Sequence, residues 1–287
     1  MRRFSRFAVI DWSGQHVARP KGLAIAIATV GTDAPEVIHA PTGRWSRQGM
    51  LEWLGEQVDQ DMLIGLDLSP ALPFVDRGAY FPGWAQSPSD AKALWREVDD
   101  RAAATPHLSA NGFLADANAR EYFLHQHYRG TEFLPANGRL RRCEARQKVM
   151  RLSPASCFKL IGANQVGKSS LTGMRVLHRL NGAIPIWPFD PVPSDGPLII
   201  EIYTSLAARE AGLRAGLSKI RNAGALDVAL AALTSGPHRA LDRYDDHLTD
   251  AILTAAWLRR AAERESLWTP VGLDEVAQTE GWTFGVV

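Results

Sequence analysis

The sequence has few cysteines and no long apolar run. Cys143 and Cys157 are the two cysteines among 287 residues; they are too few for a disulfide framework, and no Cys-x-x-Cys pair offers a zinc site. No segment reaches the ~18 consecutive apolar residues that a membrane helix needs. The apolar run at residues 7–10, behind a basic N-terminus, is too short for a signal peptide. We therefore expect a cytoplasmic protein that does not enter the membrane.

An excess of charge of one sign is also missing. Thirty-two basic side chains face 31 acidic ones, for a net charge of +1, and this excludes binding to nucleic acid by bulk charge. The composition is 46% hydrophobic and 22% charged, which is typical of a folded domain rather than of a disordered, collagen-like or coiled-coil chain. A chain of this length can bury a sizeable core. Any contact with nucleic acid must then come from a local basic patch.

The order of the predicted elements indicates an α/β protein. Apolar runs at residues 7–12, 22–30 and 36–40 predict an antiparallel meander, and residues 46–60 predict a helix that Ser46 caps. Buried strands follow at 61–70 and 197–203, and a long helix is expected at 243–265. This order predicts a mixed β-sheet flanked by helices.

The stretch from 71 to 196 is irregular in sequence, with helical patches near 89–100, 116–126 and 170–180. We interpret it as a long, partly helical insertion in a single domain of residues 1–287, whose core is 1–70 and 197–287. A separate small domain is the alternative. Two further helices, at 205–215 and 223–234, precede the last one.

Three buried strands each carry an acidic residue within or at the end of their apolar run: Asp11, Asp67 and Glu201. An ionised carboxylate in an apolar strand is costly unless it is paired, hydrogen-bonded or bound to a metal. Asp11 and Asp67 lie at carboxyl ends of their strands, where α/β sheets usually bind ligands. Oxygen ligands on neighbouring strands favour Mg²⁺ or Mn²⁺. The alternatives are a hydrogen bond to the following turn for either aspartate and an arginine partner for Glu201.

The last helix adds polar groups near its start. Asp246 and Asp250 are four residues apart and His247 and Asp250 three apart, so they share a face that can supply further metal ligands. Asp245 and Asp246 can equally be first-turn residues that cap the helix, whereas Asp250 lies too far inside for that. His247 is a candidate proton shuttle or metal ligand, with a structural hydrogen bond as the alternative.

These segments together resemble the ribonuclease H-like superfamily, and more closely the family called domain of unknown function 429, regarded as predicted nucleases of that fold. The resembling segments are VIDWSG (9–14), IGLDLSP (64–70), RRCEARQ (141–147), FKLIGANQVGKSSLTGM (158–174), IWPFD (186–190), IIEIY (199–203) and HLTDAILTAAW (247–257). The resemblance implies metal positions at Asp11, Asp67 and Asp250, with Glu201 and His247 as neighbours. It also implies two-metal hydrolysis of a nucleic-acid phosphodiester.

A second motif competes with that interpretation. Residues 162–169 (GANQVGKS) match the phosphate-binding loop G-x-x-x-x-G-K-[ST], in which Lys168 would contact phosphate and Ser169 would contact Mg²⁺. The preceding run SCFKLI is too polar for a buried parallel strand, and the loop falls within the irregular stretch. We therefore expect Lys168 to be incidental to nucleotide hydrolysis. A nucleotide-binding ATPase or kinase-like protein, and a non-catalytic binding module of the same fold, remain the alternatives.

One local run of charge is strongly basic. Residues 139–151 contain six basic side chains and one acidic one, enough for strongly salt-dependent binding to phosphates. We predict that this run forms a groove wall for a structure-specific nucleic-acid partner, through Arg141, Arg142, Arg146 and Lys148 together with Lys168. The alternative is a solvated helix face.

Overall fold

One mixed β-sheet organises the molecule. The computed structural model describes residues 2–126, 129–133, 138–162, 165–214 and 219–287. Within these residues, six strands form the sheet in the order β3-β2-β1-β4-β6-β5. The strands are β1 (Arg6–Asp11), β2 (Ala24–Thr29), β3 (Glu36–Ile38), β4 (Met62–Asp67), β5 (Ile186–Trp187) and β6 (Leu198–Glu201).

Helices connect and cover the strands. They are α1 (Arg47–Gly55), α2 (Ala91–Arg101), α3 (Asn111–Ala115), α4 (Ala117–Arg120), α5 (Arg142–Val149), α6 (Gly167–Arg179), α7 (Thr204–Glu210), α8 (Ala223–Ala232) and α9 (Asp246–Ala261). Short 3₁₀ turns occur at Pro106–Leu108 and Glu265–Leu267. No helix in this part of the chain is both long and apolar enough to span a membrane.

Strand β1 lies inside the sheet and pairs with a neighbour on each of its two edges. It runs antiparallel to β2 and parallel to β4, and β4 in turn pairs in parallel with β6. The register sets Asp11 directly beside Asp67. The carboxyl ends of β1, β4 and β6 therefore meet at one edge of the sheet.

Alternating side chains of β1 divide the core into two layers. Ala8 and Ile10 pack into a cluster with residues of α1, α2 and α6, whereas Phe7 and Val9 pack into a cluster with α7, α8 and α9. Helices thus cover both faces, which is why β1 and β4 are almost uniformly buried.

The predicted meander and the buried strands at 61–70 and 197–203 are confirmed, and so is Ser46 as the cap of α1. The prediction missed β5, which lies inside the supposed insertion and extends the same sheet beside β6. The sheet is therefore not built from 1–70 and 197–287 alone. The helix expected at 116–126 is shorter than predicted. Only α4 forms there, a single turn whose N-cap is Asp116.

Candidate acidic site at the sheet edge

Two carboxylates face each other where β1 and β4 end. Asp11 and Asp67 occupy paired positions in the register of the two parallel strands. Burial raises the pKa of Asp67 well above its ordinary value, and the charges of Asp11 and Asp250 raise it further.

Helix α9 places His247 against this pair. The His247 Nδ1 atom lies 2.5 Å from Asp11 Oδ2. The pKa of His247 is raised, chiefly by this hydrogen bond and against the effect of burial. Burial also raises the pKa of Asp11, although His247 opposes that shift. Gly22 leaves room for the ring, since a Cβ atom there would lie 2.8 Å from His247 Cε1.

Asp250 lies on α9, one turn after Asp246. Burial raises its pKa to about 7, and the charge of Asp11 is the next largest cause. The Asp250 side chain has no hydrogen-bond partner among the described residues. His247 contacts Asp11, Asp11 is paired with Asp67, and Asp250 lies three residues after His247 on the same face of α9. The roles of these residues stay predictions.

Asp245 and Asp246 have other roles. Asp245 is the N-cap of α9 and accepts a hydrogen bond from Leu248 N at 3.1 Å. Asp246 forms ion pairs with Lys219 at 2.8 Å and Arg221 at 2.6 Å. Two cations already neutralise Asp246, so its prediction as a metal ligand is not supported by this geometry.

Glu201, on the strand next to that of Asp67, is held in a buried ion pair. The Arg141 guanidinium contacts both Glu201 oxygens, at 2.5 and 2.8 Å, and Thr283 Oγ1 donates a third hydrogen bond at 2.8 Å. Arg141 also binds Glu144 at 3.0 Å. The alternative of an arginine partner is thus what the structure shows, and a catalytic role for Glu201 is not supported.

The same contacts correct the predicted basic groove wall. Arg141 is fully buried, so it cannot bind a polyanion, and that prediction is wrong. Arg142 pairs with Glu275 on the surface. Arg146 is half-buried and Lys148 is exposed; both remain predictions as phosphate contacts.

The phosphate-loop motif does not have the structure that its mechanism needs. Residues 157–161 form a turn with one isolated bridge, between Lys159 and Leu124, instead of a strand of the sheet. Ala163 and Asn164 lie outside the described residues. Helix α6 does begin at Gly167, as the motif requires, but no sheet strand leads into it. This geometry supports the expectation that the motif is incidental.

The start of α6 instead packs on the end of β1. A Cβ atom on Gly14 would lie 2.3 Å from the Lys168 carbonyl carbon and 2.4 Å from Ser169 N. Trp12 Nε1 also donates a hydrogen bond to Thr172 Oγ1 at 3.1 Å. The Lys168 backbone therefore packs against the turn that follows β1, a contact that its place within the irregular stretch did not reveal.

The carboxylate oxygens of this site are the type of ligand that a hard divalent cation prefers. Asp11, Asp67 and Asp250 are oxygen donors, and the His247 ring contacts Asp11. As arranged, no group of three or more His, Cys, Asp or Glu side chains among the described residues forms a metal-binding cage. Binding a cation at this site would thus require a local adjustment of these side chains.

The fold and the cluster define a mixed α/β protein with acidic residues at the carboxyl ends of its central parallel strands. Comparisons with protein-family models, with curated proteins and with solved structures find no match to this chain. A functional assignment therefore rests on the residues described above.

Proposed function

We propose that the chain is a metal-dependent nuclease or phosphodiesterase of ribonuclease H-like fold. The observation that carries the proposal is the placement of Asp11 beside Asp67 at the ends of two parallel strands, with His247 of the last helix in contact with Asp11 and Asp250 three residues later on the same helix face. Asp11, Asp67 and Asp250 are the three positions at which the resemblance to the domain of unknown function 429 family implies metal ligands. The antiparallel meander with a parallel fourth strand beside the first gives further support.

Asp11, Asp67 and Asp250 would hold Mg²⁺ or Mn²⁺. When bound, such a cation activates a water molecule and stabilises the leaving oxygen of a phosphodiester. Without a cation, burial disfavours the ionised form of each of the three carboxyl groups and raises its pKa, and the charge of Asp11 adds a repulsion that raises the pKa values of Asp67 and Asp250 further. A divalent charge would relieve it, which is why the cluster favours a cation over an apolar ligand.

His247 is placed to move a proton. Asp11 fixes the ring through Nδ1, and the other ring nitrogen has no hydrogen-bond partner among the described residues. The side chain is 44% exposed, so a substrate can reach it. An imidazole held by a carboxylate at one nitrogen can accept or donate a proton at the other. Lys168, at the start of α6, stays a predicted phosphate contact; its backbone packs against Gly14.

Cleavage assays test the proposal. Purified protein is incubated with labelled single-stranded, duplex, hybrid and branched nucleic acids in Mn²⁺, beside the Asp67→Asn variant. The matched control is Asp245→Asn, because asparagine caps a helix as well as aspartate does. We expect metal-dependent cleavage that Asp67→Asn abolishes and the control retains. Cleavage of no substrate, or equal cleavage by Asp67→Asn, would refute the assignment.

A further inference from the structure

A cavity opens beside the acidic cluster. It measures about 510 Å³ and lies at the carboxyl ends of β4 and β6. Asp67 lines it, but among the described residues Asp11, His247 and Asp250 do not. The Asp67 side chain therefore belongs both to the acidic cluster and to the lining of this cavity. A group in the cavity and a phosphate at the cluster would be immediate neighbours.

The size of the cavity suits one small organic group. Sites for small ligands commonly measure about 300–1,000 Å³. Aromatic rings of Trp12 and Tyr203 contribute to the walls, as do the apolar Val166 and Ala155. Such walls suit a planar ring.

Charge in the walls argues against a phosphate inside. Among the described wall residues Arg141 is the one cation, and its guanidinium is already bound by Glu144 and Glu201. With Asp67, the walls carry three carboxylates for that single arginine. An anion placed here would be repelled, whereas a neutral ring with hydrogen-bonding edges would not.

Polar groups remain for such a ring. Ser69, Ser153 and Ser169 bring hydroxyl groups to the walls. Gln147 donates its amide to Thr283 Oγ1 at 3.0 Å, and its carbonyl oxygen has no partner among the described residues. Hydroxyls both donate and accept, so these walls can pair with the mixed donor and acceptor edge of a nucleobase.

We propose that this cavity receives one unpaired nucleobase of the substrate, while the adjoining phosphodiester lies at Asp11, Asp67 and Asp250. The inference rests on the proposed nuclease function and names its substrate class: nucleic acid with an unpaired nucleotide at the cleavage position. A base that is already unpaired enters a pocket without the cost of unstacking a pair, which amounts to a few kcal/mol.

Binding of two matched probes tests the proposal apart from catalysis. Both are the same labelled duplex with 2-aminopurine at one position, which is base-paired in one probe and a single-nucleotide bulge in the other. Fluorescence anisotropy in Ca²⁺ gives the dissociation constants, and 2-aminopurine emission reports the surroundings of the base. We expect at least tenfold tighter binding of the bulged probe, with a change in emission that the paired probe lacks.

Filling the cavity should remove that preference. Ala155→Phe and Ser153→Trp each add bulk from an irregular loop segment, and Ala104→Phe is the control on an exposed turn away from the cavity. Both filled variants should bind the two probes equally, while the control keeps the preference. Melting curves check that each variant is folded.

Three outcomes would overturn the inference. These are equal binding of both probes by the parent protein, an unchanged preference in both filled variants, and binding of neither probe. Cleavage of the same probes in Mn²⁺ separates the two claims. Equal cleavage of both removes the base pocket and leaves the nuclease proposal standing, whereas absence of binding and of cleavage removes both.

Discussion

Replacing Arg141 should destabilise the protein far more than replacing its neighbour Arg142. Arg141 is fully buried and binds two carboxylates, of Glu144 and Glu201, that are themselves 3% and 6% exposed. It also donates a hydrogen bond to the Glu280 carbonyl at 3.0 Å. Arg141→Met would leave both carboxylates without their cation in the core.

The size of the loss in unfolding free energy follows from the burial of Arg141. Removing one partner of a buried ion pair costs about 3–5 kcal/mol, because the remaining charge is uncompensated. Glu201 keeps its hydrogen bond from Thr283 and Glu144 keeps the backbone amide of residue 141, so we expect about 4 kcal/mol. Arg142 meets Glu275 at the surface, and such exposed pairs contribute about 1 kcal/mol or less.

Urea unfolding, followed by circular dichroism, measures both effects. The free energy of unfolding should fall by about 4 kcal/mol in Arg141→Met and by less than about 1 kcal/mol in Arg142→Met. Adding Glu201→Gln to Arg141→Met should restore part of the loss, because it removes one of the two unpaired charges. Equal effects of the two single variants, or no recovery in the double variant, would refute the interpretation of Arg141 as a core ion-pair residue.

Three further variants test other parts of the structure. Gly14→Ala should lower the melting temperature, because the added Cβ would lie 2.3 Å from the Lys168 backbone; an unchanged melting curve would contradict this contact. Gly22→Ala should push the His247 ring away from Asp11, and an unshifted imidazole signal in NMR spectra would show that the ring stays in place. Burial alone would raise the pKa of Asp99, but hydrogen bonds from two arginines lower it below 3.8. The stabilisation from this ionised carboxylate is therefore full above pH 3.8 and lost as the pH falls through the lowered pKa. Wild type should exceed Asp99→Asn in stability at neutral pH, with the gap closing in acid, and a gap independent of pH would exclude this ion pair as the cause.

Much of the fold follows from local patterns in the sequence. Strands β1, β4 and β6 are continuous apolar runs, and such runs are typical of strands covered on both faces. The sequence did not predict strand β5, because its two residues, Ile186 and Trp187, are too few to show a periodic pattern. It is a strand only because β6 offers it a free edge, and that is a tertiary effect.

The site was predictable in part for a similar reason. Asp11 and Asp67 end their strands, and parallel pairing brings strand ends together, so their meeting follows from sequence position. The burial of Arg141 does not follow from its position in the sequence. A run of arginines predicts an exposed surface unless the acidic partners that bury them are known. Those partners include Glu201, 60 residues further along the chain.

The central claim is that Asp11, Asp67 and Asp250 form a divalent-cation site. Calorimetric titration with Mn²⁺ tests it most directly, because the heat of binding does not depend on knowing the substrate. We predict saturable binding to the wild-type protein that is lost in Asp67→Asn and retained in Asp245→Asn. Absence of binding to the wild type, or equal binding by Asp67→Asn, would contradict the claim.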